Sequence, residues 1–350
     1  MVSIDEVARA AGVSSATVSR ALSGRGHVSA ATRTRVEEAA ARMGYVVSSA
    51  ASSLASGRMR SIGVMVPDLH RWFFSTVLTG ISEELSRRGF DLMLYNVTDD
   101  DSVRAEIFGS YLRRRRVDGL IVVAMELSGA EISQLQQLDV PVITLGGAND
   151  QLPGLAIDDH AVARLATEHL LRLGHERIGR IGALESFDRD FHIPARREAG
   201  FREAMDMAQA AVDPTLCVPG DFTIEGGHQA AKRILGRSAA APTALLAFSD
   251  EMAVGATLAA RELGLRVPED VSVIGIDGHD LGELIGLTTV DQHPLDQGTL
   301  AAQRILAMCE EPGGDAGTDA ARGASEAAES ADELPYELVV RSSTAAPRPV

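Results

Sequence analysis

A chain of 350 residues is longer than one ordinary domain and suits two or three. With 45% apolar and 23% charged residues it has the make-up of a globular protein with a sizeable core. The opening MVSIDEV lacks a secretory signal's basic start and apolar stretch, and no apolar run reaches the roughly 18 residues of a membrane helix, so a cytoplasmic protein is expected. Cys217 and Cys309 supply neither a disulfide framework nor a metal spacing and read as buried thiols. The net charge of −16 is unevenly spread. Residues 1–60 hold eight arginines against four acids, a surplus of +4, which leaves −20 on the remainder. A basic head on an acidic body is the asymmetry of a polyanion-binding module.

In Ser3-Ile4-Asp5-Glu6, Ser3 and Glu6 are spaced to cap one another, opening a helix with Val7, Ala8 and Ala11 inward that ends at Gly12. After a short turn Ser14 can cap a second helix to about Leu22, with Thr17, Val18, Ala21 and Leu22 inward. Two short helices joined by a glycine-containing turn form the helix-turn-helix pattern, whose second helix enters the major groove. Its other face carries Ser15, Ala16, Ser19 and Arg20. Small Ser15 and Ala16 let the backbone approach base edges, Ser14, Thr17 and Ser19 can donate to phosphates, and Arg20 is forked to read guanine. A third helix, capped by Ser29 and running from about Ala30 to Met43, presents Val36, Ala39, Ala40 and Met43 as a cover.

The stretch SIDEVARAAGVSSATVSRALSGRGHVSAATRTRVEEAAARMGY resembles, without gaps, the DNA-binding head of the lactose-repressor (LacI/GalR) family of bacterial transcription regulators. The resemblance implies base reading by Ser15, Ala16 and Arg20, and backbone contacts from Ser14, Thr17, Ser19, His27, Ser29 and Thr32. It makes residues 1–46 the head and 47–60 a hinge that becomes helical in the minor groove, with Ala51, Leu54 and Ala55 facing the DNA and Leu54 wedging between base pairs. The family commonly has proline and asparagine after the tyrosine; here Val47, Ser48 and Ser49 stand there, and serines favour disorder off DNA.

From Ser61 the texture becomes short apolar runs (SIGVMVPDL, FDLMLYNV, GLIVVAM, PVITLGG) alternating with helical stretches at 75–88 and 102–116. A second set follows: RIGRIGA, a weak strand near LCVPGD, ALLAFSD and VSVIGID. Two such sets predict two doubly wound parallel-sheet lobes, an α/β body behind the all-α head. This resembles the periplasmic-binding-protein-like core of the same family, with ligand in the cleft at the strand C-terminal ends. The expected body is 61–345, with a first lobe of about 61–158 and 290–309 and a second of about 159–289 and 334–345. Residues 310–333, rich in Gly, Ala, Ser and acid without apolar period, read as a disordered insert.

Trp72, Phe73 and Phe74 follow the first strand, and Ser249 ends another with Asp250 behind it, read as a helix cap. By resemblance Arg197 and Asp277 are ligand-binding and Phe222 sits at an aromatic position. Forked polar groups beside ring faces suit a sugar. Gly146 stands where many members carry an aspartate, removing one polar contact, while Arg71, Arg189 and Arg196 leave room for a purine or phosphorylated effector. The expected partners are double-stranded operator DNA, a small-molecule effector and a second copy of the chain, with no cofactor and no metal. The expected regulator is a repressor released by its effector; a corepressor mechanism and a sugar-binding sensor without DNA role are the alternatives. No Gly-x-Gly-x-x-Gly, Gly-Lys-Ser/Thr loop or nucleophile elbow supports an enzyme.

Overall fold

The computed structural model describes all residues except 1, 24–26, 46–57, 99, 115, 147–150, 184–191, 237–240, 311–331 and 349–350. It divides into two compact units, Met1–Arg60 and Ser61–Val350.

In the head, α1 (Ile4–Ala11) starts at a reciprocal cap: the Ser3 N–H donates to Glu6 Oε2 at 2.7 Å and the Glu6 N–H to Ser3 Oγ at 3.4 Å. The Ser3 N–H and the Ser3 hydroxyl (2.9 Å), both donating to Oε2, hold the Glu6 carboxyl below its ordinary value. Gly12 at φ +66° ends α1, a left-handed turn that β-carbon sterics reserve largely for glycine. Ser14 accepts the Thr17 N–H (3.2 Å) to open α2 (Ser15–Ser23), and Ser29 accepts the Thr32 N–H to open α3 (Ala30–Met43). Val7, Ala8, Ala11, Val18, Ala21, Val36, Ala39 and Ala40 close one core between the three helices, with Leu22 and Met43 half-buried against it.

The body carries two six-stranded sheets. The first contains β1 (Ser61–Val66), β2 (Asp91–Asn96), β3 (Gly119–Val123), β4 (Val142–Leu145), β5 (Gly154–Ala156) and β11 (Asp332–Glu333), in the order β11-β5-β4-β3-β1-β2, all parallel. The second contains β6 (Ile178–Gly182), β7 (Cys217–Pro219), β8 (Ala244–Ala247), β9 (Ser272–Asp277), β10 (Thr288–Asp291) and β12 (Glu337–Val339), in the order β12-β10-β9-β8-β6-β7, with only β12 antiparallel. Parallel strands need helical crossovers, so both faces of each sheet are covered and the strands read as continuous apolar runs. In the first lobe α4 (Trp72–Arg87) and α12 (Pro294–Glu310) cover one face, while α5 (Asp101–Glu106) and α6 (Gly129–Gln136) lie toward the other. The stretch read as one helix over 102–116 is broken: α5 gives way to a π turn (Ile107–Tyr111) and a 3-10 turn (Leu112–Arg114). In the second lobe α7 (Asp159–Arg172), α8 (Ile193–Met207), α9 (Ile224–Leu235), α10 (Asp250–Glu262) and the short α11 (Asp280–Ile285) cover the sheet.

The chain passes between lobes three times: after β5, after β10, and between β11 and β12. Residues 288–291 pair with β9, so the return to the first lobe begins at Pro294 and not near 290. Glu310 is helical and Asp332–Glu333 pair with β5, so the ends of the segment expected to be disordered are ordered; residues 311–331 lie outside the described residues. Among the described residues no helix is long and apolar enough to cross a membrane.

Helix α4 crosses α12 at two glycines. A Cβ on Gly80 would come within 2.1 Å of the Leu295 carbonyl oxygen, and one on Gly298 within 2.1 Å of that of Val77. Backbone cannot yield as a side chain does, so Gly80→Ala should cost about 1–3 kcal/mol in urea unfolding. In the second lobe, buried His175 ties three segments together: Nδ1 meets Thr243 Oγ1 at 2.8 Å, and Nε2 lies 3.1 Å from Ser272 Oγ and 2.8 Å from the Ala345 carbonyl oxygen. Burial pushes its imidazole below the ordinary 6.5. On acidification the unfolded chain therefore takes up the proton before the folded one, and stability falls as the pH drops through that value. His175→Ala should cost about 1–3 kcal/mol at neutral pH and show a smaller fall in melting temperature than the parent between about pH 7.5 and 5.5.

Candidate functional site: the recognition helix and the inter-lobe cleft

On α2, Ala16, Ser19 and Arg20 are exposed, and Ser15 is half-buried with its hydroxyl donating to Asp5 Oδ1. The face is small because its apolar residues, Val18 and Ala21, point into the head's core. Arg20 Nε donates to the Ala16 carbonyl at 3.1 Å, keeping the guanidinium against its own helix. Ser14 pairs with Thr17 and Ser29 with Thr32, each hydroxyl pair at 2.9 Å, so these four residues build the helix starts. His27 is exposed. Ala51, Leu54 and Ala55 lie outside the described residues.

In the body, the C-terminal ends of β1, β3, β4, β5 and β9 converge on a cleft between the lobes. Its polar floor is Arg197, only 4% exposed. The Arg197 Nε donates to Asp159 Oδ1 at 2.8 Å, a second guanidinium nitrogen donates to the Phe248 carbonyl and stands 3.8 Å from Asp277 Oδ1, and Gln292 Nε2 donates to that same oxygen at 2.8 Å. Burial pushes the carboxyls of Asp159 and Asp277 up, with Arg197 opposing it at both. Asp277 sits at φ +134°, a backbone that a non-glycine residue adopts only when its surroundings impose it.

The surrounding contacts do impose it. Asp250 Oδ2 accepts the N–H groups of Gly278 (3.0 Å) and His279 (2.8 Å), holding the chain that leaves Asp277. A Cβ on Gly275 would lie 2.0 Å from the other Asp250 oxygen, so the carboxylate fills the space over that glycine. Burial raises the Asp250 carboxyl to about 6. The helix cap is therefore Ser249, which accepts the Met252 N–H, while Asp250 braces the end of β9.

Of the residues expected to bind effector, Phe73, Phe74, Arg197, Phe222 and Asp277 line one cavity. Trp72 and Ser249 do not. Trp72 stacks on His279 of the opposite lobe with centroids 4.3 Å apart, and Glu251 accepts its backbone N–H. Arg71, Asp159, Gln292 and Gln297 also line the cleft, and of these the sequence pointed only to Arg71 as an effector-site residue. The Arg71 guanidinium lies 4.9 Å from the ring centre of Phe74 and 4.5 Å from that of Phe222, reaching across the cleft. Forked donors, carboxylate acceptors and two ring faces can together hold a small molecule with several hydroxyls and an apolar face.

Comparison with known proteins finds the same organisation of head and body. Residues 3–48 match the model for bacterial regulatory proteins of the lacI family, and 167–344 that for the periplasmic binding protein-like domain. The chain is 34% identical over 348 residues to the HTH-type transcriptional regulator DegA of Bacillus subtilis (strain 168), covering 97% of each. The lac repressor dimer bound to operator and the anti-inducer ONPF superposes with a TM-score of 0.81 at 29% identity, covering 99% of both chains. A LacI family transcriptional regulator from Enterococcus faecium with bound ribose gives 0.66 at 31% identity, covering 82% of this chain and 99% of that one. The chain belongs to the lacI family of bacterial regulatory proteins, and is a ligand-binding transcriptional repressor with a DNA-reading head and a periplasmic-binding-protein-like body.

Proposed function

We propose that this repressor binds a pseudo-palindromic operator as a dimer and is released when a sugar-type effector enters the cleft. The observation that carries the effector class is the floor, where Arg197 stands between Asp159 and Asp277 beneath the rings of Phe74 and Phe222. The formal charges of the cavity's arginines, Arg71 and Arg197, equal those of its aspartates, Asp159 and Asp277, which suits a neutral ligand. The ribose held by the Enterococcus faecium relative supports the same class. Ser15, Ala16 and Arg20 would read bases, with Ser14, Thr17, Ser19, His27, Ser29 and Thr32 along the phosphates and Ala51, Leu54 and Ala55 in the minor groove. Leu284, 82% exposed on α11, supports a subunit contact in the second lobe. On this reading the protein works in the cytoplasm, on the nucleoid, and carries out no catalysis. A planar effector acting as corepressor is the second reading, favoured by the flat Arg71 guanidinium between two rings.

Trp72 is the only tryptophan, and its stack on His279 bridges the lobes, so its emission should report ligand-driven lobe movement. A panel of mono- and disaccharides, then purines, should contain one compound that shifts this emission and lowers anisotropy on labelled DNA from upstream of the gene. A compound that raises the anisotropy instead would overturn induction in favour of corepression. Asp277→Asn should abolish the emission response and leave DNA affinity unchanged. Arg20→Ala should cost about 1–3 kcal/mol on the operator and relax discrimination at one base pair, measured by competition with single-site operator variants.

A further inference from the structure

Arg113, Arg114 and Arg116 stand at the opposite end of the first sheet from the cleft. Arg113, Arg114 and Arg116 are exposed, and among the described residues none of the three lies within salt-bridge distance of a carboxylate. Arg104, Arg177, Arg180, Arg202 and Arg266 of the same body do pair with carboxylates, whereas this run gathers its unpaired cations within four positions of the chain. Buried Leu112 and Val117 anchor the run at both ends, and the Arg114 guanidinium lies 4.6 Å from the ring centre of Tyr111. The charges of Arg116 and Arg114 reach β2, where they oppose the burial that raises the Tyr95 phenol.

The run's location names its partner. The Asp118 N–H donates to the Ser61 carbonyl at 2.7 Å, and Ile62 lies opposite Gly119 in the sheet. Arg116 is therefore two residues from the point where the linker from the DNA-reading head joins the body. Along the chain Arg58 and Arg60 lie just before that point. A duplex held by the head is joined to the body along the chain only through residues 46–60, and its phosphates attract exposed guanidinium groups over a Debye length of about 8 Å in physiological salt. We infer that Arg113, Arg114 and Arg116 are a second, body-borne contact to the phosphate backbone of double-stranded DNA, independent of base sequence. The inference rests on the DNA-binding role of the head and adds a surface to it.

The test uses the full-length protein and a random-sequence duplex, which reports the phosphate contribution alone. Dissociation constants are measured by anisotropy from about 50 to 200 mM salt. Each phosphate contact contributes roughly 0.9 to the log–log slope, so the triple variant R113Q/R114Q/R116Q should bind with a slope shallower by about 2–3. The triple lysine variant, which keeps the charge, should restore the parental slope. An unchanged slope in the glutamine variant overturns the inference. So does a shallower slope that lysine does not restore, or one accompanied by a lowered melting temperature, since either makes the run structural. Failure of the parent itself to bind any duplex would sink the DNA role as a whole, which is distinguishable from failure of this patch.

Discussion

The buried guanidinium of Arg197 is the constraint on which the body is organised. It projects from α8 toward Asp159 at the start of α7 and Asp277 at the end of β9, so it ties three elements at the place where the lobes meet. Burying such charges costs several kcal/mol per ion before pairing, and well-packed apolar residues would do the stabilising as well. A site that receives a polar ligand has a reason to keep them. The donors and acceptors are already desolvated and fixed, so a ligand gains their hydrogen bonds without first ordering them.

Holding Asp277 in place takes more residues than those that line the cavity. Asp250 clamps the two amides after it, and Gly275 leaves room for that carboxylate. Gln292 fixes one oxygen, and its own carbonyl accepts from Gln297 Nε2 at 2.7 Å. Gln297 lies on α12, which lies against α4 at Gly80 and Gly298. The cleft floor is thus connected through short, stiff contacts to the helix that opens with Trp72. A displacement at Asp277 has few soft elements in which to dissipate.

Much of this was legible in the sequence, for reasons specific to each part. The head was readable almost residue by residue because its starts and stops are chemical: Ser3 with Glu6 and Ser29 satisfy helix-start N–H groups that only a few side chains can, and Gly12 takes the left-handed turn that ends α1. The sheets were readable because parallel strands buried on both faces are apolar without interruption. The cavity was harder. Trp72, Phe73 and Phe74 read as one aromatic cluster, yet they open a helix, where successive side chains diverge by about 100° and cannot all face one ligand. Phe74 takes the floor side and Trp72 turns to the other lobe. Ser249 was misread because a strand end and a helix start coincide there, and the cap prevailed. Asp159, Gln292 and Gln297 carry no local signal, since their role depends on which strands become neighbours. Gly80 and Gly298 interrupt no pattern and show their purpose only when two helices cross.

Among the described residues, contacts across the cleft include Arg71 over Phe222, Trp72 on His279, Glu251 at the Trp72 N–H, and His192 Nε2 at 3.3 Å from Glu126 Oε1. Each is weak alone, since three are partly exposed and the cation–π contact is worth about 0.5–2 kcal/mol. Their sum sets how firmly the lobes stay together, and a ligand alters the regulator only through the difference between its affinities for the joined and parted lobes. Typical couplings are about 1–3 kcal/mol, comparable to one or two such contacts. An effector that competes with Arg71 for the face of Phe222 therefore exchanges one lobe-bridging contact for another of similar size. Whether such a ligand joins or parts the lobes follows from which contact is stronger.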